Sequence, residues 1–312
     1  MTLEDNTTQL KSHVEAFLAN LRRRGKAART ITRWSVELNR FVVWMGDREL
    51  HEIGAGELEL GFLSEWEAAF RDRNGRAPAL NSTRAVVQAI RSFYAFMDRF
   101  GLLVDADGGL IRNPALALEL PVIPVKPELD WLRAEEDGAL LSCPMNVRED
   151  IVIFLLRMTG LRLGEALALT NRDVNVGEGS ITVTTSKTVA GLRSIPISPE
   201  LRPHIERWRA FTQREGFYRP DGAFLVTRNI TPMKPQYVEQ VVSRVAVRAG
   251  LTRRVTPHTL RRTFGSDLVN RRVRLEVVSR LLGHASTSIT EKAYARLENA
   301  TIRAEMLEAL VA

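Results

Sequence analysis

Apolar residues recur three and four apart over Leu10 to Arg23, Thr30 to Met45, Leu58 to Arg71 and Asn81 to Phe100, as in Phe41, Val42, Trp44 and Met45 or Ile90, Phe93, Tyr94 and Met97. That spacing lines one face of a helix, so the first part of the chain reads as about four amphipathic helices packed into a bundle. Gly25, the run Gly54-Ala55-Gly56 and the stretch from Asn74-Gly75 to Pro78 separate them, because glycine and proline end helices. Pro114, Pro121, Pro124 and Pro127 then follow in quick succession. Proline removes a backbone donor and pushes the residue before it out of the helical region, which makes this stretch an extended connector. The expected organisation is a helical domain over residues 1–118, a linker over 119–128 and a second domain over 129–312.

Beyond the connector the periodicity changes. Asp137 to Leu141 and Glu149 to Thr159 are helical in pattern, Gly160 is placed as a stop, and a short helix carries Gly164 to Leu169. Ser180 to Thr184 alternates polar and apolar and Leu192 to Ile197 resumes β-type residues, which predicts a small hairpin with Lys187 just past its first strand. Helical patterns return over Leu201 to Phe211, Pro235 to Ala249, Pro257 to Asn270, Leu275 to Leu282, Ile289 to Leu297 and Ile302 to Leu310. The fold class is mainly α: an all-helical bundle, then a mostly helical domain with a small antiparallel β-sheet.

With 312 residues, 45% of them apolar and 26% charged, the chain matches an ordinary folded protein rather than a disordered one. No run approaches the roughly 20 apolar residues that span a bilayer, and the start lacks a basic-then-apolar signal region. The expectation is a cytoplasmic protein with no membrane partner. Cys143 is the one cysteine; it excludes an intrachain disulfide and a cysteine-based zinc site and reads as core filler. The net charge of +7 favours a polyanionic partner. Through residue 125 there are 16 basic against 16 acidic residues, and beyond it 28 against 21, so the excess lies in the second part. Six of the 44 basic residues are lysine; arginine grips phosphate with paired hydrogen bonds, although a GC-rich coding sequence produces the same bias.

Breaking and rejoining a phosphodiester without metal or ATP needs a nucleophile, an acid for the leaving oxygen and donors for the charged transition state. Residues 160–294 offer all three. In Thr159-Gly160-Leu161-Arg162-Leu163-Gly164-Glu165, an arginine sits at a loop-to-helix junction with an acid three residues on; a plain surface ion pair has the same pattern. Thr256-Pro257-His258-Thr259-Leu260-Arg261 reads as a helix start capped by Thr256 with Pro257 in the first turn. His258 and Arg261 then share a face near the positive end of the helix dipole, an oxyanion site or an ordinary structural pair. Leu281-Leu282-Gly283-His284 is a helix end closed by Gly283. The next helix opens over Ser286 to Ser288, with Ser288 and Glu291 as a capping box, and carries Tyr294 two turns in.

Arg162, Lys187, His258, Arg261, His284 and Tyr294 occur in this order within TGLRLGE, TSKT, HTLRR, LLGH and KAYARL. Together these resemble the tyrosine recombinases, the phage integrases and Xer-type resolvases, over residues 159–297. The resemblance implies a SAM-like core-binding domain followed by a catalytic domain with a C-terminal tail helix. It implies that Tyr294 attacks the scissile phosphate to form a 3′-phosphotyrosyl link, releasing a 5′-hydroxyl. Arg162 and Arg261 would brace the non-bridging oxygens, Lys187 would protonate the leaving oxygen, His258 would act as acid or base, and His284 would hydrogen-bond the phosphate. Glu165 would orient its neighbours. Neither cofactor nor metal is implied, since the covalent link conserves the bond energy.

The implied partners are double-stranded DNA recombination sites and the chain itself, as a dimer on one site and a tetramer in synapsis. Candidate DNA contacts are Arg22, Arg23, Arg24, Arg253, Arg254, Arg271, Arg272 and Arg274, each of which has a solvated-face reading as well. Ile302, Met306, Leu307 and Leu310 suit a tail that docks in a groove, on a neighbour or on its own domain. The bundle begins close to residue 1, so a separate arm-binding domain is not expected. Two rivals share this sequence pattern: a type IB topoisomerase, and a DNA-binding relative without cleavage. A basic helical scaffold unrelated to DNA leaves the ordered motifs unexplained.

Overall fold

The computed structural model describes residues 4–124, 131–185, 191–284, 286–288 and 290–291. The chain divides into two compact units, residues 1–126 and 127–312.

In the first unit, α1 (Glu4–Arg23), α2 (Ala28–Met45), α3 (Ser64–Asn74) and α4 (Leu80–Arg99) enclose one apolar core. Leu10, Val14, Phe17, Leu18 and Leu21 of α1 meet Leu38, Phe41, Val42 and Met45 of α2 and Ile90, Phe93, Tyr94 and Met97 of α4, all buried. Aromatic edges fill the centre: Phe41 stands T-shaped to Phe62 with ring centroids 5.2 Å apart. The one buried charged group there among the described residues, Glu37, accepts hydrogen bonds from Trp66 Nε1 and Arg40 Nη1, each at 2.8 Å. The helix expected over Leu58 to Arg71 departs from a regular α-helix. Glu57–Leu63 winds as a π-helical turn before α3 begins, and Gly61 in that turn lies so close to Trp44 that a Cβ would be 2.9 Å from its ring. After a 3-10 turn at Pro114–Leu116, residues 118–124 have no regular secondary structure. They lie along α4, where Arg91 and Arg84 donate to the carbonyls of Leu118 and Pro121, each at 2.9 Å.

The second unit comprises α5 (Ala134–Ser142), α6 (Val147–Thr159), α7 (Leu163–Ala168), β1 (Val174–Asn175), β2 (Ser180–Val183), β3 (Arg193–Pro196), α8 (Arg202–Arg214), α9 (Pro235–Arg248), α10 (Pro257–Asn270) and α11 (Leu275–Leu282). Apolar on every side, α6 is its central helix. Ile151 through Leu156 are all buried, each full burial contributing about 1.5–3 kcal/mol. Arg148 lies over the Phe211 ring of α8, 5.0 Å from its centroid, and the other three charged residues each pair with another helix. Glu149 pairs with Arg248 of α9 at 3.0 Å, and Asp150 pairs with His204 and Arg207 of α8 at 2.8 and 2.9 Å. Arg157 forks onto Asp137 of α5 through two 2.7 Å bonds and reaches Asp267 of α10 as well.

The predicted hairpin is part of a three-stranded antiparallel sheet of order β1-β2-β3. β1 is only two residues long, too short to display alternation, so its place at the edge was not visible beforehand. The register sets Ile181 opposite Ile195 and Val183 opposite Arg193.

Candidate active site

Two glycines shape the site. At the end of α6, Gly160 adopts φ 62°, and a Cβ there would lie 2.3 Å from Phe264 of α10, so no other residue lets the two helices approach this closely. Gly283 closes α11 at φ 63°, and a Cβ there would lie 2.7 Å from Arg193 Nη1. Both stops expected from the sequence are therefore fixed by backbone conformation and by neighbours far along the chain.

Arg162 caps α7, as its position predicts. Its backbone N–H donates to Glu165 Oε2 at 2.9 Å, its Nη1 to Glu165 Oε1 at 2.7 Å and its Nη2 to the Gly283 carbonyl at 2.7 Å. Thr256 caps α10 through its side chain, with Pro257 in the first turn. One turn in, Arg261 is buried and donates to the carbonyls of Gly160 and Leu282, each at 2.6 Å. Arg193 reaches the third carbonyl of the series, Leu281, with Nε at 2.6 Å. Leu281, Leu282 and Gly283 thus present three consecutive carbonyls at the end of α11 to three different arginines. Those carbonyls have no helical partner and carry the negative end of the helix dipole, which is why cations gather there.

Glu165 is the anionic counterpart. Its Oε2 also accepts from Arg193 Nη2 at 2.9 Å. Burial by itself raises the Glu165 carboxyl, but hydrogen bonds from Arg193 and from the backbone and side chain of Arg162 outweigh it and hold the group below its ordinary value. His284 follows Gly283 directly. Burial, then the charges of Arg261, Arg162, Arg193 and His258, push its imidazole from 6.5 down to about 4. At neutral pH His284 is therefore uncharged, and its Nδ1 lies 2.8 Å from the hydroxyl of buried Thr290.

A cleft of about 350 Å³ opens on this cluster, lined by Leu161, Arg162, Leu163, Glu239, Thr256, Pro257, His258 and Arg261. His258 and Arg261 both line it, although they differ in setting. Arg261 is buried beneath it, whereas His258 is exposed and accepts a hydrogen bond at its Nε2 from Arg262 Nε at 3.1 Å. The cleft offers guanidinium donors and one exposed imidazole, and neutral His284 sits on the turn that Arg162 and Arg261 hold, an arrangement that can stabilise a phosphorane.

Arg162, Glu165, His258, Arg261 and His284 come together here. Lys187, Tyr294 and the tail from Ile302 to Leu310 lie outside the described residues, as does most of the helix expected over Ile289 to Leu297. Its start is described and differs from expectation. Thr287 and Ser288 are already helical and Ser288 N donates to Ser286 Oγ at 3.2 Å, so Ser286 caps the helix in place of Ser288. Both serines fit a cap by composition, and the turn after His284 decides between them.

Arg22, Arg23, Arg24, Arg254, Arg271, Arg272 and Arg274 are exposed. Arg253 differs: its Nε and Nη2 fork onto Glu136 at 2.9 and 3.0 Å, and Nη2 also reaches the Trp131 carbonyl. Arg193 was missed in the sequence although a signal was present. It stands in phase with Ile195 and Ile197 in an alternating strand, and a charged residue at an inward position requires a buried partner. Among the described residues, no three His, Cys, Asp or Glu side chains form a group suited to a metal ion, and no helix is long and apolar enough to cross a membrane.

Residues 130–301 match the phage integrase family. The chain is 29% identical over 312 residues to the tyrosine recombinase XerA of Pyrococcus furiosus, covering 97% of each. It is 28% identical over 275 residues to the tyrosine recombinase XerC of Rhodospirillum centenum, covering 86% of this chain and 78% of the relative. In fold it is similar to a lambda integrase dimer bound to a core site, with a TM-score of 0.69 at 16% identity over 89% of this chain and 96% of that one. It is also similar to the XerH recombinase bound to its difH substrate, with a TM-score of 0.67 at 20% identity over 95% and 84%. With Arg162, Glu165, His258, Arg261 and His284 brought together and the family match covering residues 130–301, the chain belongs to the phage integrase family.

Proposed function

We propose that this protein is a site-specific DNA recombinase that cuts and rejoins strands through a 3′-phosphotyrosine, and that it works in the cytoplasm on double-stranded sites. The observation that carries this reading is the convergence of Arg162, Arg261 and neutral His284 on one turn at the end of α11, facing a cleft that also contains His258.

In this reading, the Tyr294 oxygen attacks the scissile phosphorus as His258 takes its proton. The bond to the 5′-oxygen breaks, and Lys187 supplies the proton that makes it a hydroxyl. Arg162 and Arg261 hold the non-bridging oxygens, where their charge counts most in the transition state. His284, being neutral, donates one hydrogen bond to the phosphate without adding charge. One phosphodiester is exchanged for another, so attack by the 5′-hydroxyl of a partner strand reverses the step and completes the exchange. Arg22, Arg23, Arg24, Arg254, Arg271, Arg272 and Arg274 would add salt-dependent affinity for the backbone, and a dimer on each site would pair into a tetramer.

The test is a nicked suicide duplex carrying the sequence that the protein selects from a random duplex pool. An SDS-resistant adduct should form and should vanish in Tyr294→Phe; an adduct that persists in that variant sinks the assignment. Supercoiled plasmid lacking the site is the control, since a topoisomerase relaxes it and this protein should not.

A further inference from the structure

Of the three arginines that meet the end of α11, Arg193 is the one that does not line the cleft, and its side chain is 3% exposed. All three of its guanidinium nitrogens are engaged. Its Nη2 holds Glu165 Oε2 at 2.9 Å, its Nε holds the Leu281 carbonyl at 2.6 Å and its Nη1 holds the Gly191 carbonyl at 2.9 Å. One planar guanidinium on β3 therefore joins the segment leading into that strand, the N-terminus of α7 and the C-terminus of α11, each through a different nitrogen.

Those last two elements carry the groups that face the phosphate. Glu165 divides its oxygens between Arg162 and Arg193, and Arg162 in turn reaches Gly283, two residues past the carbonyl that Arg193 holds. The closed circuit runs Arg193, Glu165, Arg162, Gly283 and back through Leu281. Pulling out Arg193 removes one of the two donors on Glu165 Oε2 and the donor on one carbonyl of α11 together, and both changes loosen Arg162. A lysine cannot replace it, because an ammonium on a flexible stem does not reproduce three donors in a plane.

We propose that Arg193 is a positioning residue for strand cleavage: from inside the fold it sets Arg162 and the His284 turn in register with one another, without touching DNA. This rests on the recombinase reading above. Misplacing a clamp by about an ångström costs about 100-fold in rate, whereas a residue that never meets the duplex leaves binding largely alone.

The experiment uses the full chain and the nicked duplex described above. Arg193→Lys, Arg193→Met, Arg162→Ala and the double variants are compared in duplex affinity and in the rate of adduct formation at saturating duplex, normalised to the folded fraction measured by circular dichroism. Each Arg193 variant should bind within about threefold of the parent yet form adduct about 100-fold more slowly. Adding Arg162→Ala to either should slow it by less than about tenfold further, because groups acting through one another are not additive. If Arg193→Met does not fold, Arg193→Lys carries the same cycle. Arg193 variants that cleave within threefold of a working parent, or a full additive loss in the double variants, overturn the inference alone. A parent that forms no adduct sinks the recombinase reading and this inference with it.

Discussion

Arg162 donates to the carbonyl oxygen of Gly283 at 2.7 Å across 121 residues of sequence. The next residue is His284, so one hydrogen bond sets the distance between a candidate phosphate clamp and a candidate phosphate donor. Gly283 is the hinge of this arrangement, with φ 63° and Arg193 against its Cα hydrogen. Gly283→Ala should cost about 1–3 kcal/mol of stability for the left-handed backbone alone and should slow adduct formation in the surviving folded protein. Denaturant midpoints and adduct rates measure the two effects, and a variant as stable as the parent contradicts the packing described.

The two clamp arginines should separate in their effect on folding. Arg261 is buried and satisfies two buried carbonyls, and each orphaned group costs about 1–3 kcal/mol. Arg162 has a side chain 43% exposed, so Arg162→Ala should stay within about 1 kcal/mol of the parent. Both variants should lose at least about 100-fold in cleavage. Equal stability losses in the two would mean that burial does not distinguish them.

His284 makes stability depend on acidity. Its folded value is depressed to about 4 from 6.5, so between those values the unfolded chain binds a proton that the folded one refuses. The contribution is present above about pH 6.5 and is lost as pH falls toward 4. His284→Asn should flatten that part of the stability profile. Imidazole NMR on a protein with five histidines should show the His284 midpoint near 4 in the free protein and a higher one with duplex bound, since phosphate offsets the surrounding arginines. An unchanged midpoint on binding would place His284 away from the phosphate.

Arg253 and Arg254 are neighbours that should fail differently. Exposed Arg254 should contribute about 0.9 to the slope of log affinity against log salt if it meets a phosphate. Arg253 is forked onto Glu136, so Arg253→Ala should lower stability by up to about 1 kcal/mol and leave the salt slope unchanged. Salt titrations of duplex binding with each variant decide the matter.

In the first unit, the hydroxyl of fully buried Tyr94 has no hydrogen-bond partner among the described residues, and its burial pushes the phenol upward. Tyr94→Phe removes a desolvated polar atom and keeps the ring against Phe41 and Phe93. It should be neutral or stabilising by about 1 kcal/mol. A loss of more than that by thermal denaturation would reveal a partner for the hydroxyl.

Local signals in this chain were legible because they act over a few residues. The period of α1, α2 and α4, the caps at Thr256 and Gly160, the stop at Gly283 and the irregular proline-rich stretch depend on side-chain spacing and on backbone conformations that few residues adopt. Of the ordered motif residues, Arg162, Glu165, His258, Arg261 and His284 are the ones the structure describes side by side. Where two local solutions were equally good, as between Ser286 and Ser288, the sequence could not choose, and a strand of two residues left no periodicity to read.

Tertiary structure alone decided that three arginines from a loop, a strand and a helix would each take one of three consecutive carbonyls. No spacing in the sequence links Arg162, Arg193 and Arg261 to residues 281–283. The pairing arises because packing brings the end of α11 beside Gly160 and β3, where unpaired carbonyls in a dry interior must find donors. The same packing neutralises His284, giving a histidine that the sequence could only name its charge.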